Sequence, residues 1–228
     1  MLKRHVFFDK MKKYILLIFL LLFSFPVLRA QSIEGGLIAG FNMSQVDGDE
    51  VYGFHKYGLN VGALGIVPLK KNFSFSLEIL YNQKGSYEPR QSTDSINGSY
   101  KLILNYLDVP VMFHYTDKDI ITFGLGASWG RLVQFAEWEQ GTRINWDTKF
   151  GPYIDSDIDA LFDVRFRVLK GLKMDLRYSY SMASLRTRTF KTGVVRHQFN
   201  NFLSLRLIYV FGEKDSKVKK DDREKKKK

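Results

Sequence analysis

The sequence predicts an all-β protein, an eight-stranded antiparallel up-and-down transmembrane β-barrel. Three observations lead there. Apolar and polar residues alternate with period two in eight segments, the mark of strands with one apolar and one polar face. Long polar loops and short turns alternate between those segments, which is the loop asymmetry of outer-membrane barrels. The apolar rows hold no charged residue between their ends, a restraint that a water-facing surface does not need.

The clearest segment is 73–85. Phe73, Phe75, Leu77, Ile79 and Tyr81 point one way, and Ser74, Ser76, Glu78 and Asn82 the other, with Leu80 the exception. Before it come strands at 35–44 (Leu37, Ala39, Phe41, Met43) and 57–69 (Leu59, Val61, Ala63, Val67), where Pro68 suits a strand end. After it, 101–115 sets Ile103, Leu107, Val109, Val111 and Phe113 against Asp108, Pro110 and His114. Segment 121–130 sets Ile121, Phe123, Leu125, Ala127 and Trp129 against Gly, Ser and Thr. In 157–168 an apolar row from Ile158 to Val168 opposes Asp157, Asp159, Asp163, Arg165 and Arg167. In 172–182 a row from Leu172 to Met182 opposes Lys173, Asp175 and Arg177, and in 201–211 Leu203, Leu205, Leu207, Tyr209 and Phe211 oppose Ser204 and Arg206. The long loops are read at 45–56, 86–100, 135–155 and 185–197.

Periodicity alone does not say which face is outside, since a soluble barrel turns its apolar face inward. Volume decides. The apolar rows carry about forty residues, and an eight-stranded lumen is only wide enough for a filling of side chains. The apolar rows therefore face lipid. Aromatic residues fall in two belts: Phe73, Tyr115, Tyr209 and Phe211 near the short turns, and Tyr81, Trp129, Tyr178 and Tyr180 near the loops. Such rings prefer membrane interfaces. The inward faces carry Glu78, Asp108, Asp159, Asp163 and Asp175 against Arg165, Arg167, Lys173, Arg177 and Arg206. Balanced buried charges predict a packed ion-pair network rather than a selective pore, with Glu78 paired to an interior arginine.

The ends differ from the body. Residues 1–30 hold a basic stretch, an apolar run at 14–25 and a small residue at Ala30, which reads as a secretory signal cleaved after Ala30; Met1 and Met11 both qualify as its start. Residues 31–212 form the barrel. Residues 213–228 read as a basic, disordered periplasmic tail. The net charge of +11 is concentrated at these ends: six Lys/Arg against one Asp in 1–30, and nine against five Asp/Glu in 212–228, which leaves +2 for the middle. A nearly neutral body argues against nucleic-acid binding. With no cysteine there is no disulfide framework or thiolate metal site.

Motifs for chemistry are sparse. His114 and Asp108 share a strand face but stand about 20 Å apart. His197 lies near Ser184 and Arg196 without a nucleophile motif. Asp47, Asp49 and Glu50, and Asp155, Asp157 and Asp159, are oxygen-rich but lack a calcium-loop pattern, so they read as solvated acids. No enzyme, cofactor or metal is expected. The partners expected are outer-membrane lipid and an envelope or extracellular protein, met first by Trp138, Trp146 and Tyr153 of the longest loop. Nothing in the sequence sets an oligomeric state.

Several stretches carry a family resemblance: Ala30-Gln31, GLIAGFNMSQVDGDE (36–50), SLEILYNQKGSYEP (76–89) and NYLDVPVMFHY (105–115). Together they resemble the PorT-family outer-membrane β-barrels, which typically show a Leu-Glu-Ile-Pro segment where this chain has Leu107-Asp108-Val109-Pro110. The resemblance implies an outer-membrane barrel without catalytic residues. It also admits a component of a secretion (type IX) or gliding apparatus. The function expected is an outer-membrane scaffold that presents long extracellular loops above a lumen filled by ion pairs, with a lipid-modifying enzyme as the remaining alternative.

Overall fold

The computed structural model describes residues 33–69, 72–88, 99–189 and 193–212. All belong to the unit Ile33–Lys228. The expected signal at 1–30 and tail at 213–228 lie outside the described residues.

The described residues form ten strands: β1 Glu34–Asp47, β2 Lys56–Pro68, β3 Phe73–Glu88, β4 Tyr100–Asp117, β5 Ile121–Glu139, β6 Thr142–Arg143, β7 Ser156–Leu169, β8 Leu172–Ser181, β9 Arg186–Thr189 and β10 Val195–Val210. Eight are long and match the eight predicted. The short β6 and β9 are hairpin additions paired to β5 and β10. Every pairing is antiparallel, and β10 returns to β1 in register from Gly36 opposite Val210 to Asp47 opposite Phe199. The sheet thus closes on itself, and no long strand leaves an edge unpaired along the barrel wall.

The strands run further than predicted at the loop end. Residues assigned by sequence to loops 86–100, 135–155 and 185–197 continue the ladder in β3, β4, β5 and β10. Alternation of apolar and polar residues stops where lipid stops, whereas backbone pairing does not need it. Residues 89–98 of the second loop lie outside the described residues.

Burial follows the two faces. On β3, Ile79 is 62% exposed while its neighbour Glu78 is 0% exposed. Leu77, Leu107, Val111, Phe113, Leu125, Phe162, Leu176 and Leu207 are likewise exposed on the outside. An apolar surface of this extent needs lipid as its solvent.

The lumen departs from the polar filling expected. One side of it, along β1, β2, β3 and β10, is apolar, built of Ile38, Leu64, Ile66, Leu80, Ile208 and Val210. This gives inward-facing Leu80, the exception in the alternation, its place. The loop end is apolar as well. There Val46, Tyr100, Leu102, Leu104, Tyr106 and Leu132 of the wall close around Val51, Tyr153 and Leu185 from three loops. Charged groups occupy the layer below the loop end. One irregularity shapes the loop end. Across β4 and β5, Tyr106 pairs with Leu132 but Asn105 with Gln134, so Val133 is bulged out. Inward positions on β5 are even up to Leu132, and Phe135 and Glu137 point inward above it. A bulge reverses the face in this way.

Candidate functional site

The charged layer is built by register. On neighbouring strands Asp163 stands opposite Arg177, Arg165 opposite Asp175, and Asp175 opposite Arg206. Glu78 reaches them from β3 across the lumen. Its carboxylate accepts bonds from Arg165 Nη2 (2.9 Å), from Arg177 Nη1 and Nη2 (2.9 and 2.8 Å) and from Arg206 Nη1 (3.1 Å). Asp163 accepts from Arg165 and Arg177, and Asp175 from Arg165 and Arg206. Three carboxylates and three guanidiniums thus form one buried, charge-balanced cluster, held by the charge-assisted bonds such pairs favour. Gly124 makes room beside it: a Cβ there would stand 2.2 Å from Asp163 Oδ1 and 2.6 Å from His114 Cδ2.

A second cluster lies closer to the loops. Lys84 Nζ is 2.6 Å from Asp159, 3.1 Å from Asp157 and 3.4 Å from Asp108, with the rings of Tyr106 and Phe202 at 4.7 and 4.8 Å. Ser181 and Asn200 donate to Asp157, and Asn82 donates to Asp108.

Several expectations change here. Lys84 and Asp157 join the interior network in addition to the charged residues expected there. Asp157 and Asp159 are buried rather than solvated, because β7 turns them inward onto Lys84. Only Asp155 stays near the surface, paired with Arg131 at 2.7 Å. Arg167 lies half-buried opposite Lys173 at the turn end, away from the six-group cluster. The charge is not evenly matched, since the Lys84 cluster sets one cation among three carboxylates.

His114 Nε2 faces Asp163 Oδ1 at 3.4 Å instead of Asp108, and both groups are buried. His197 Nδ1 lies 2.9 Å from Thr187 Oγ1. Among the described residues no group of His, Cys, Asp and Glu is arranged to hold a metal ion.

The loop end is ordered around Glu137, which is buried and accepts bonds from Tyr100 Oη (3.0 Å), Trp146 Nε1 (3.2 Å) and Arg186 Nη1 (3.3 Å). Arg186 lies over the rings of Trp146 and Tyr153, at 5.4 and 5.3 Å. Burial raises the pKa of Tyr100 and Tyr153, which keeps both hydroxyls neutral. Of the three loop aromatics expected to form a contact surface, Tyr153 is only 5% exposed and serves the apolar cap instead. Trp146 is exposed, and Trp138 is half-buried under Lys101 and Arg143.

The aromatic belts sit on the outside. Phe73, Tyr115, Tyr209 and Phe211 are exposed near the turns, with Phe73 and Tyr115 at 5.3 Å and Tyr209 and Phe211 at 5.6 Å between ring centroids. Near the loops, Trp129 and Tyr178 are exposed, Tyr81 is half-exposed, and Tyr180 stacks on Phe199. Just above Tyr81, Gln83, Asn105 and Gln134 form an outward ladder of side-chain amide bonds across β3, β4 and β5.

Residues 29–186 match the family model of the outer membrane protein beta-barrel domain. The chain belongs to that family. It is an integral outer-membrane protein, and the PorT resemblance rests on its strand motifs alone. No curated protein matches the chain. Among solved structures it is similar to the attachment invasion locus protein Ail of Yersinia pestis, with 13% identity over 78% of this chain and 99% of that one and a TM-score of 0.46. It is also similar to Neisserial surface protein A, with 11% identity over 77% and 96% and a TM-score of 0.46. A third is the outer membrane protein AlkL, with 16% identity over 82% and 95% and a TM-score of 0.36.

Proposed function

We propose that this outer-membrane barrel is a closed, non-enzymatic scaffold that presents an ordered loop end to the cell exterior. The carrying observation is the lumen, which is filled by a buried apolar patch, two buried charged clusters and an apolar cap. An eight-stranded barrel filled in this way leaves no continuous aqueous path. In this reading the short turns and both termini are periplasmic, residues 1–30 are a signal removed on export, and the basic tail hangs in the periplasm. Non-enzymatic action is supported by His114, which faces the carboxylate of Asp163 rather than a nucleophile. Planar-bilayer recording of the refolded protein tests the closed lumen: no stepwise current is expected, and stable single-channel openings would overturn it. A role in a secretion (type IX) or gliding apparatus is the second reading. It rests on the PorT-like segments 76–89 and 105–115, and it predicts envelope proteins that co-purify after crosslinking and loss of secreted proteins on deletion.

A further inference from the structure

The loop-end wall of β3, β4, β5 and β6 rises well beyond the membrane belt. Trp138 is nine residues past Trp129 on β5, about 30 Å along the strand. The rows between them can be read from the register. Tyr81, Leu107 and Arg131 stand side by side, then the amide ladder Gln83–Asn105–Gln134, then Gly85, Ile103 and Ala136. The top row is Tyr87, Lys101, Trp138 and Arg143, one residue from each strand. Tyr100 and Leu102, which flank Lys101, are buried in the cap, so this row faces outward, towards the neighbours of the barrel in its membrane plane.

In that row Trp138 carries two cations, with Lys101 Nζ 5.3 Å and the Arg143 guanidinium 5.8 Å from its ring. Neither cation has an ion pair among the described residues. The carboxylates nearby are engaged elsewhere: Glu139 with Arg188 at 3.0 Å, Glu137 with Arg186 at 3.3 Å, and Asp155 with Arg131 lower on the wall. An indole that holds two unpaired cations restrains their long side chains and keeps both heads outward. At this height above the belt, the molecules beside the wall are the sugars carried by outer-leaflet lipids. The amide ladder beneath it lies at the head-group level, where hydrocarbon gives way to polar surroundings.

We infer that the Lys101–Trp138–Arg143 row is a lateral docking site for the phosphate of an outer-leaflet glycolipid. Lys101 and Arg143 supply the charge, Trp138 positions them, and the amide ladder borders the sugar backbone. The inference rests on the proposed outward placement of the loops. The test uses the full chain refolded in zwitterionic micelles and titrated with a lipopolysaccharide phosphorylated on its core sugars, the same glycolipid dephosphorylated, and inorganic phosphate, with bound lipid counted by native mass spectrometry. The core-phosphorylated glycolipid should bind the unaltered protein about 30-fold more tightly than the K101Q/R143Q variant, as expected for two cations near an anionic surface. The K101R/R143K variant, which keeps both charges, should retain that affinity. Equal binding by K101Q/R143Q, equal binding of the dephosphorylated lipid, or an equal response to inorganic phosphate overturns the inference. Sidedness is read separately by labelling a Lys149→Cys variant on intact cells with an impermeant reagent, so a misplaced loop end is distinguished from a site that does not bind.

Discussion

Glu78 and Arg177 lie 99 residues apart in the chain and meet in the lumen as a two-bond pair, with Nη1 on Oε2 at 2.9 Å and Nη2 on Oε1 at 2.8 Å. Because Arg165 and Arg206 bind the same carboxylate, Glu78 is the one anion of the cluster reaching three guanidiniums from the opposite wall. Its removal leaves buried cations without their shared partner. Glu78→Met should cost about 3–5 kcal/mol of folding stability. Glu78→Gln, which still accepts hydrogen bonds, should cost less. Urea midpoints of the folded form in micelles decide this, and a loss below about 1 kcal/mol for Glu78→Met would show that the network does not carry the fold.

The same rule makes Lys84 the most sensitive single position of the second cluster. Lys84→Met strips the cation that is paired with Asp108, Asp157 and Asp159, so it should destabilise by at least as much as Glu78→Met. Asp159→Asn relieves crowding among the carboxylates and keeps a polar partner for Nζ, so it should be tolerated. The order of the two urea midpoints checks the assignment, and a reversed order would remove Lys84 from the centre of the cluster.

These two clusters mark how far the sequence was legible. Alternation over 73–82 and 157–168 was enough to predict the strands, their outward rows and the inward placement of Glu78, Asp163 and Arg165, because period two is a local property. Lys84 was not legible, since its partners lie 73 and 75 residues away and only closure of the sheet brings them together. Glu137 was hidden for another reason. The bulge at Val133 reverses the parity of β5, so it points inward from a segment whose composition reads as loop. Tyr153 looked like an exposed anchor because apolar residues in a polar loop usually contact something, and here that something is the chain's own cap.

Asp49 gives the loop end a pH response. Its carboxyl is pushed up from 3.8 to about 6, chiefly by burial and further by the charge of Asp47, against the opposing bond from the Val51 amide. A raised carboxylate pKa means that the folded state holds the proton more tightly than the unfolded chain. The contribution of Asp49 to stability is therefore greatest below pH 4, falls as pH rises from about 4 to 6, and is lowest above that window. Asp49→Asn, which removes the ionisation and can still accept from Val51, should stabilise at pH 8 by up to about 3 kcal/mol and leave stability at pH 3.5 unchanged. Urea titrations at the two pH values measure it, and an equal gain at both would rule out the ionisation.

Gly124 sits opposite both His114 and Asp163 in register, and the close approach of their side chains leaves no room for a methyl group. Gly124→Ala should cost about 1–3 kcal/mol through overpacking against the charged layer. Gly141→Ala is the comparison. It meets nothing within 4 Å, so its cost comes from its φ of +77° alone, about 1 kcal/mol. Thermal gel-shift midpoints of the two variants should therefore differ, and a Gly124 variant as stable as the unaltered protein would mean that the interior is looser than its geometry.

The stacked layers of the lumen predict that breaching one of them does not open it. Leu185 is fully buried in the cap, and its backbone ties two segments together: its amide donates to Gln198 and its carbonyl accepts from Ile154. Leu185→Asp places a charge among apolar side chains and should release the cap, which protease sensitivity of residues 140–155 and 182–194 would report. Conductance should nevertheless stay at zero, because Arg165, Arg177 and Arg206 still bridge to Glu78 beneath it. Adding Glu78→Gly and Arg177→Gly to Leu185→Asp should then give measurable current, provided that the gel shift confirms a folded barrel. Current from Leu185→Asp alone would place the whole seal in the cap and leave the charged layer with a structural part only.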